Sequence, residues 1–184
     1  MSRNLIKSLP ATILELTQLW DLDMSYNVLK SLPPAIGKVP KLRDLDVSHN
    51  RLVSLPETIG SLCKLTKLRV SSNSLESLPE AVGSLIELLV LCVAHNRLKS
   101  LSEAVGALPK LHSLFAASNE LNELPNAMRN LYHLDIRSNR FDRLPAFLAE
   151  LPELCDIDVS FNKLRALPES WDSKECEFSG LLIV

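Results

Sequence analysis

Cys92 and His95 are the two residues of this chain that come closest in sequence to a nucleophile and its base. A reactive cysteine needs a base in contact with it, and the base needs a third group that orients it. The repeat pattern described below places Cys92 on a strand and His95 beyond the end of that strand. We therefore expect that this pair does not form a catalytic site.

The other residue types that carry catalysis or bind metal ions are also not grouped. His112 and His133 are scattered, and the four cysteines contain no CxxC pair and no zinc-binding spacing. The chain has no glycine-rich phosphate loop, no H-E-x-x-H motif and no G-x-S-x-G motif. We expect a protein that is not an enzyme, with no catalytic residue, no metal site and no cofactor.

Asparagine recurs along the chain at a nearly constant interval. The interval is 23 residues, except for one interval of 20 residues before Asn139. Similarity at a fixed period indicates a protein built from stacked repeats. The asparagines of this series are Asn4, Asn27, Asn50, Asn73, Asn96, Asn119, Asn139 and Asn162.

Each copy of the repeat reads L-x-x-L-x-φ-x-x-N-x-φ-x-x-L-P-x-x-φ, where φ is apolar, as in the segment from Leu42 to Gly60. The alternation of apolar and polar residues before the asparagine predicts a strand with one buried face. The proline and glycine after it predict a short helical turn. One copy buries too few apolar side chains to offset the entropy that its residues lose on ordering, so the copies must stack.

This consensus resembles the leucine-rich repeat family over essentially the whole chain, and it is similar to the intracellular Ras-group and Scribble-like type with 23-residue repeats. The resemblance implies an α/β solenoid, with a curved parallel β-sheet on the concave face and short helical turns or loops on the convex face. It also implies a structural ladder of asparagines, whose amides can satisfy backbone groups where each strand bends away. The expected ladder consists of Asn27, Asn50, Asn73, Asn96, Asn119, Asn139 and Asn162.

The family resemblance implies a non-catalytic function. We expect a protein–protein interaction module that binds a partner protein on its concave face, in signalling or scaffolding. The alternative is the substrate-recognition or regulatory arm of a larger enzyme, such as a ubiquitin ligase, kinase or phosphatase complex, with no catalysis in this chain.

The domain prediction is a single leucine-rich repeat domain over residues 1–184, with about eight repeats, a partial N-terminal repeat and a possible C-terminal cap in residues 171–184. Solenoid ends need caps because an open end leaves apolar surface in water. The half-repeat at Asn4 has three interpretations: a truncated parent protein, a terminal half-repeat that packs inward, or self-association through this end. Phe178, Leu181 and Ile183 alternate as a closing edge strand would.

Residues between the core leucines of successive strands should line up in columns on the concave face, with neighbours about 4.8 Å apart. The first column follows the second leucine of each copy, and the second column precedes that leucine. The first column runs Asp23, Asp46, Arg69, Cys92, Phe115, Asp135 and Asp158. The second column runs Asp21, Asp44, Lys67, Val90, Ser113, His133 and Asp156.

The two columns predict a partner-binding face with carboxylates at both ends. A basic pair, Lys67 and Arg69, lies beside an apolar centre of Val90, Cys92 and Phe115. An exposed aromatic side chain surrounded by charge is typical of an anchor for a protein ligand. Two alternatives stay open, namely that Phe115 only covers the sheet and that the carboxylates are solvated strand residues.

Composition excludes some partner classes. With 46% hydrophobic and 23% charged residues the chain is expected to fold, and its net charge of −2 favours neither nucleic acid nor an anionic membrane as a partner. No apolar run reaches the roughly 18 residues of a membrane-spanning helix. Together with four scattered cysteines, these features predict a cytoplasmic protein.

Two departures from the consensus and two rim columns complete the prediction. The segment before Asn139 is three residues shorter than its counterparts, and Ser102 stands where other copies have proline.

Residues beside the ladder asparagines are expected to contact a partner at the edge of the concave face. These rim columns are Tyr26, His49, His95 and Phe161, and Arg51, Arg97, Arg140 and Lys163.

Overall fold

The computed structural model describes residues 1–10, 12, 15–166 and 177–179, and these residues form one sheet of eight strands. The strands follow one another across the sheet in chain order, and each pairs in parallel with its neighbours. They are β1 (Asp21–Asp23), β2 (Asp44–Asp46), β3 (Lys67–Arg69), β4 (Val90–Cys92), β5 (Ser113–Phe115), β6 (His133–Asp135), β7 (Asp156–Asp158) and β8 (Glu177–Ser179). The predicted solenoid with a parallel sheet is confirmed.

The strands pair in register from repeat to repeat. Leu22 lies opposite Leu45, and Leu45 lies opposite Leu68, and all three leucines are buried. Because side chains alternate along a strand, the residues on both sides of each central leucine point to the other face of the sheet. These flanking residues therefore form two rows of neighbouring positions.

Short helical turns lie on the convex side. Pro33, Pro56 and Pro79 come directly before three of these turns, with φ between −65° and −70°. The proline ring fixes φ in this range, so it directs the chain into the turn without loss of a needed backbone donor. The turns are 3₁₀ helices at Pro34–Lys38, Glu57–Ser61 and Glu80–Ser84, and α-helical turns α1 (Glu103–Gly106) and α2 (Phe147–Glu150).

Gly60 lies inside one of these turns and allows the next repeat to approach closely. A Cβ atom on Gly60 would lie 2.4 Å from the backbone oxygen of Ala81. A Cβ atom on Gly37 would lie 2.2 Å from the backbone oxygen of Thr58. The recurrence of glycine at the same position of the early repeats therefore reflects the close contact between neighbouring turns.

The core is one continuous stack of leucine, isoleucine and valine side chains from successive repeats. Leu45, Leu68 and Leu91 have no exposed surface, and the same is true of Ile59 and Val82 in the convex turns. Each such side chain contributes about 1.5–3 kcal/mol on burial. Because each repeat covers its neighbours, the repeats stabilise one another.

The shortened repeat changes the convex side and leaves the sheet regular. Residues 121–130 contain no helix, in contrast to the equivalent segments of the preceding four repeats. Leu114 of β5 nevertheless lies opposite Leu134 of β6, as in all the other strand pairs. The three missing residues therefore come from the convex turn.

The N-terminal half-repeat packs against the first full repeat, which is one of the three interpretations above. The backbone N–H groups of Arg3 and Asn4 donate to the carbonyls of Ser25 and Tyr26, both at 3.0 Å. At the other end β8 continues the sheet beside β7, whereas the predicted edge-strand residues Leu181 and Ile183 and the remainder of the predicted cap lie outside the described residues. Within the described part of the chain, no helix has the length and apolar character needed to cross a membrane.

Candidate functional site

The two predicted columns run across the concave face of the sheet in the expected order. Asp46 lies opposite Arg69, Arg69 opposite Cys92, and Cys92 opposite Phe115. Phe115 is followed in the same row by Asp135 and then by Asp158. The sheet therefore places residues that are about 23 positions apart in sequence at neighbouring positions on adjacent strands.

The early end of the face is acidic, and its basic pair is only partly available. The Arg69 guanidinium pairs with the Asp44 carboxylate at 2.5 Å, so most of its charge is balanced within the protein. No ion pair of Lys67 occurs among the described residues. The sequence predicted a basic pair at this position, and the structure adds that its arginine is paired with Asp44.

Asp23 has a local partner that holds its charge. Its carboxylate accepts hydrogen bonds from the Ser25 hydroxyl at 2.7 Å and from the Ser25 backbone N–H at 2.8 Å. The Ser25 hydroxyl is the main reason why the pKa of Asp23 lies below its usual range. Asp23 is therefore a stable negative charge at the edge of the face.

The apolar centre consists of Val90, Cys92 and Phe115, and all three side chains are half-buried. Burial raises the pKa of the Cys92 thiol to about 11, although the nearby Arg69 acts in the opposite direction. Cys92 is therefore neutral near pH 7 and behaves as a small apolar side chain. The partly exposed ring of Phe115 is the largest apolar group of this centre.

His133 connects the aromatic centre to the acidic residues of the later repeats. Its ring stacks beside the Phe115 ring, with 6.4 Å between centroids and 26° between planes. Its Nδ1 atom lies 2.8 Å from a carboxylate oxygen of Asp156. These residues, with Asp135 and Asp158, line a concavity of about 220 Å³. The face thus has an aromatic wall next to three carboxylates.

Arg137 partly balances these carboxylates. Its guanidinium nitrogens lie 3.5 Å from Asp135 and 3.7 Å from Asp158. At these distances the ion pairs lack close hydrogen bonds and contribute little to stability. Burial raises the pKa of Asp135 above its usual range. Arg137 is also unusual in sequence, because the equivalent positions hold only small residues: Ser25, Ser48, Ser71, Ala94, Ala117 and Ser160.

Tyr132 and His112 belong to this aromatic cluster, although the sequence pattern did not predict a place for them in it. The Tyr132 ring meets His133 edge to face at 4.8 Å, and it stacks on His112 at 5.1 Å. The signal in the sequence was a third column, directly after the first leucine of each copy. This column runs Trp20, Arg43, Thr66, Leu89, His112, Tyr132 and Cys155.

The rim residues adopt an unusual backbone conformation. The four ring-bearing rim residues have φ values of 53° or 54°, in the left-handed region that residues other than glycine rarely adopt. They are Tyr26, His49, His95 and Phe161. Tyr26 and His49 stack with 4.0 Å between ring centroids, and Arg3 lies 5.4 Å above the Tyr26 ring. The turn before a ladder asparagine therefore presents a ring side chain at the rim in four repeats, whereas Ser72, Ser118 and Ser138 take the same conformation in the other three.

The ladder asparagines each connect two repeats through the same hydrogen bonds. The Asn119 amide donates to the carbonyls of Val93, Ala116 and Ala117, at 3.0–3.3 Å. Its side-chain oxygen accepts from the Leu98 N–H at 3.0 Å. Asn27, Asn50, Asn73, Asn96, Asn139 and Asn162 make the corresponding bonds. These side chains satisfy backbone groups that the strands leave unpaired.

The described residues contain no group of three or more histidine, cysteine, aspartate or glutamate residues placed to hold a metal ion. Cys63, Cys92 and Cys155 are free thiols. Cys176 lies outside the described residues.

A protein-family model described as a leucine-rich repeat region matches residues 1–167 of this chain. The chain belongs to the leucine-rich repeat family. Among solved structures, a leucine-rich repeat protein of Leptospira interrogans is 31% identical with a TM-score of 0.88, and the match covers 91% of this chain and 44% of that one. YopM of Yersinia enterocolitica is 30% identical with a TM-score of 0.67, with 89% and 32% covered.

A plant leucine-rich repeat protein is also similar. The ectodomain of the membrane receptor kinase GASSHO1/SCHENGEN3 of Arabidopsis thaliana, solved in complex with CASPARIAN STRIP INTEGRITY FACTOR 2, is 28% identical with a TM-score of 0.80. That match covers 90% of this chain and 21% of the ectodomain. This leucine-rich repeat chain thus spans less than half the length of each of these proteins. No curated protein matches it.

Proposed function

We propose that this chain is a non-catalytic interaction module that binds a partner protein on its concave face, as part of a signalling or scaffolding assembly in the cytoplasm. The observation that carries the proposal is the half-buried Phe115 ring, which stacks with His133 in the apolar centre of a face that has charged side chains toward both ends. Aromatic side chains in such positions provide much of the binding energy in protein interfaces.

The arrangement of charge around Phe115 supports a protein ligand. Carboxylates of the early repeats lie on one side, and Asp135, Asp156 and Asp158 lie on the other. A polar rim around an apolar centre is the usual organisation of a protein interface. The charged ends would set the orientation of the partner, and the apolar centre would supply most of the affinity.

Two further observations support the proposal. The related Arabidopsis ectodomain was solved in complex with CASPARIAN STRIP INTEGRITY FACTOR 2, which is consistent with partner binding by this repeat class. The free thiols of Cys63, Cys92 and Cys155 are compatible with a reducing compartment.

The test is to place a photo-crosslinking phenylalanine analogue at position 115 and to crosslink in extract of the native cell. A specific partner should be captured from position 115 and not from position 86. Ile86 is a suitable matched position because its side chain is apolar and 53% exposed but follows a convex turn.

A second experiment measures how tightly the purified wild type and its variants bind the captured partner. Phe115→Ala should weaken binding by about tenfold or more, as expected for an anchor residue, whereas Ile86→Ala should leave it unchanged. Circular dichroism establishes that both variants are folded. Equal capture from positions 115 and 86, or unchanged affinity of folded Phe115→Ala, would exclude the concave face as the binding site.

A further inference from the structure

A cleft of about 850 Å³ lies on the flank of the solenoid, where the chain runs from the ladder asparagines of the later repeats toward the convex turns. Neither concave column contributes to it, although Arg140 and Lys163 also belong to the rim column at the edge of the concave face. Its lining combines four basic side chains with two acidic ones. The basic ones are Arg140, Arg143, Lys163 and Arg165, and the acidic ones are Glu123 and Asp142.

The cleft occurs where the chain departs from its own repeat. It lies beside the shortened copy, whose residues 121–130 form no helical turn. Two of its charged residues, Glu123 and Arg143, stand at a position that is serine in the four earlier copies. These serines are Ser31, Ser54, Ser77 and Ser100. The shape and the charge of the cleft therefore differ from those of the flank of the early repeats.

Most of the positive charge in the cleft is available to a ligand. Arg140 pairs with Glu120 at 2.9 Å. Arg143, Lys163 and Arg165 are exposed and make no ion pair with any of the other described residues. The chain as a whole has a net charge of −2, but this cleft carries a local excess of positive charge. Such clefts attract ligands of opposite charge.

The lining favours an acidic protein segment over a small molecule. Pockets for small molecules are mostly apolar, whereas eight of the twelve lining residues here are charged or amide side chains. Arginine side chains bind carboxylates through two parallel hydrogen bonds. We propose that this cleft binds an aspartate- or glutamate-rich segment of a partner protein, as a second interaction site that does not use Phe115 or the other residues of the two concave columns.

The experiment uses a fluorescent glutamate-rich peptide and measures its anisotropy with the full chain. The test variant is Arg143→Ser/Arg165→Ser. The matched control is Lys30→Ser/Lys99→Ser, which removes the same charge from the same flank at two exposed lysines of earlier repeats. The peptide should bind the wild type and the control alike, and it should bind the test variant about tenfold more weakly, because two charge-assisted contacts are lost. Binding should also weaken as salt is added.

Three results would overturn the proposal. They are no binding of the glutamate-rich peptide to the wild type, equal losses in the test and control variants, and equally tight binding of a thymidine oligonucleotide that depends on the same two arginines. The last result would show a general polyanion site. Phe115→Ala should bind the peptide as the wild type does, so failure of the concave-face proposal and failure of the cleft proposal are distinguishable.

Discussion

The side-chain oxygen of Asn139 accepts a hydrogen bond from the backbone N–H of Leu121, eighteen residues earlier, at 2.9 Å. The corresponding bond of Asn119 reaches Leu98, twenty-one residues earlier, at 3.0 Å. The same contact therefore survives the loss of three residues from the intervening convex segment. The ladder and the sheet are set by the stacked strands, and the convex segments vary around them.

Asn119→Ala and Asn139→Ala should destabilise the protein to a similar extent. Each substitution removes three donated hydrogen bonds and one accepted bond, and it leaves buried backbone groups unpaired. Each should lower the free energy of unfolding by about 2–4 kcal/mol in urea denaturation. Asn122→Ala, at an exposed asparagine, should change it by less than about 0.5 kcal/mol. A small effect at Asn139 alone would mean that the shortened repeat does not use the ladder.

Ser102→Pro should stabilise the protein. Ser102 has φ −69° and ψ 154°, close to φ −65° and ψ 146° of Pro79 in the preceding repeat. Its buried hydroxyl has no hydrogen-bond partner among the described residues. Proline removes this hydroxyl and restricts the unfolded chain, so the free energy of unfolding should rise by about 1 kcal/mol.

The comparison that tests this explanation is Ser102→Ala, which removes the hydroxyl and leaves the backbone free. The proline variant should be more stable than the alanine variant in thermal unfolding followed by circular dichroism. A proline variant less stable than the wild type would show that the ring does not fit at this position.

Gly60→Ala should destabilise the stack of convex turns. The added Cβ would lie 2.4 Å from the Ala81 oxygen and 2.9 Å from the Ala81 Cβ, so neighbouring repeats must move apart. We expect a loss of about 1–3 kcal/mol in the free energy of unfolding, measured with urea. Ser61→Ala, at an exposed residue of the same turn, is the control and should have little effect. Equal stability of the two variants would contradict the close approach of the turns.

Cys92 should react slowly with iodoacetamide in the folded protein at pH 8. Because its pKa is raised to about 11, the reactive thiolate is a small fraction, about one in a thousand molecules at this pH. That fraction rises as the pH approaches the pKa, so modification should accelerate about a hundredfold between pH 8 and pH 10. Peptide mapping by mass spectrometry follows each cysteine separately.

Exposed Cys63 serves as the internal reference for this measurement, and unfolded protein shows that the Cys92 peptide can be detected. Modification of Cys92 as fast as Cys63 at pH 8 would show that the Cys92 thiol is not protected by burial.

The order of side chains on the concave face could be read from the sequence. Asp46, Arg69, Cys92 and Phe115 were predicted to be neighbours, and they are consecutive Cα partners in the sheet. This is possible because a regular repeat length and parallel stacking fix which residues are adjacent. The pairing of their charged groups could not be predicted, because it depends on side-chain rotamers across neighbouring strands.

The sequence by itself determined the repeat, the parallel sheet and the buried leucine at the centre of each strand, because these follow from a periodic pattern of apolar residues. Only the tertiary structure decided that Arg69 pairs with Asp44, that His133 joins Phe115 to Asp156, and that a basic cleft opens beside the shortened repeat. Each of these features depends on distances between atoms of different repeats, and a linear pattern specifies neighbours without specifying those distances.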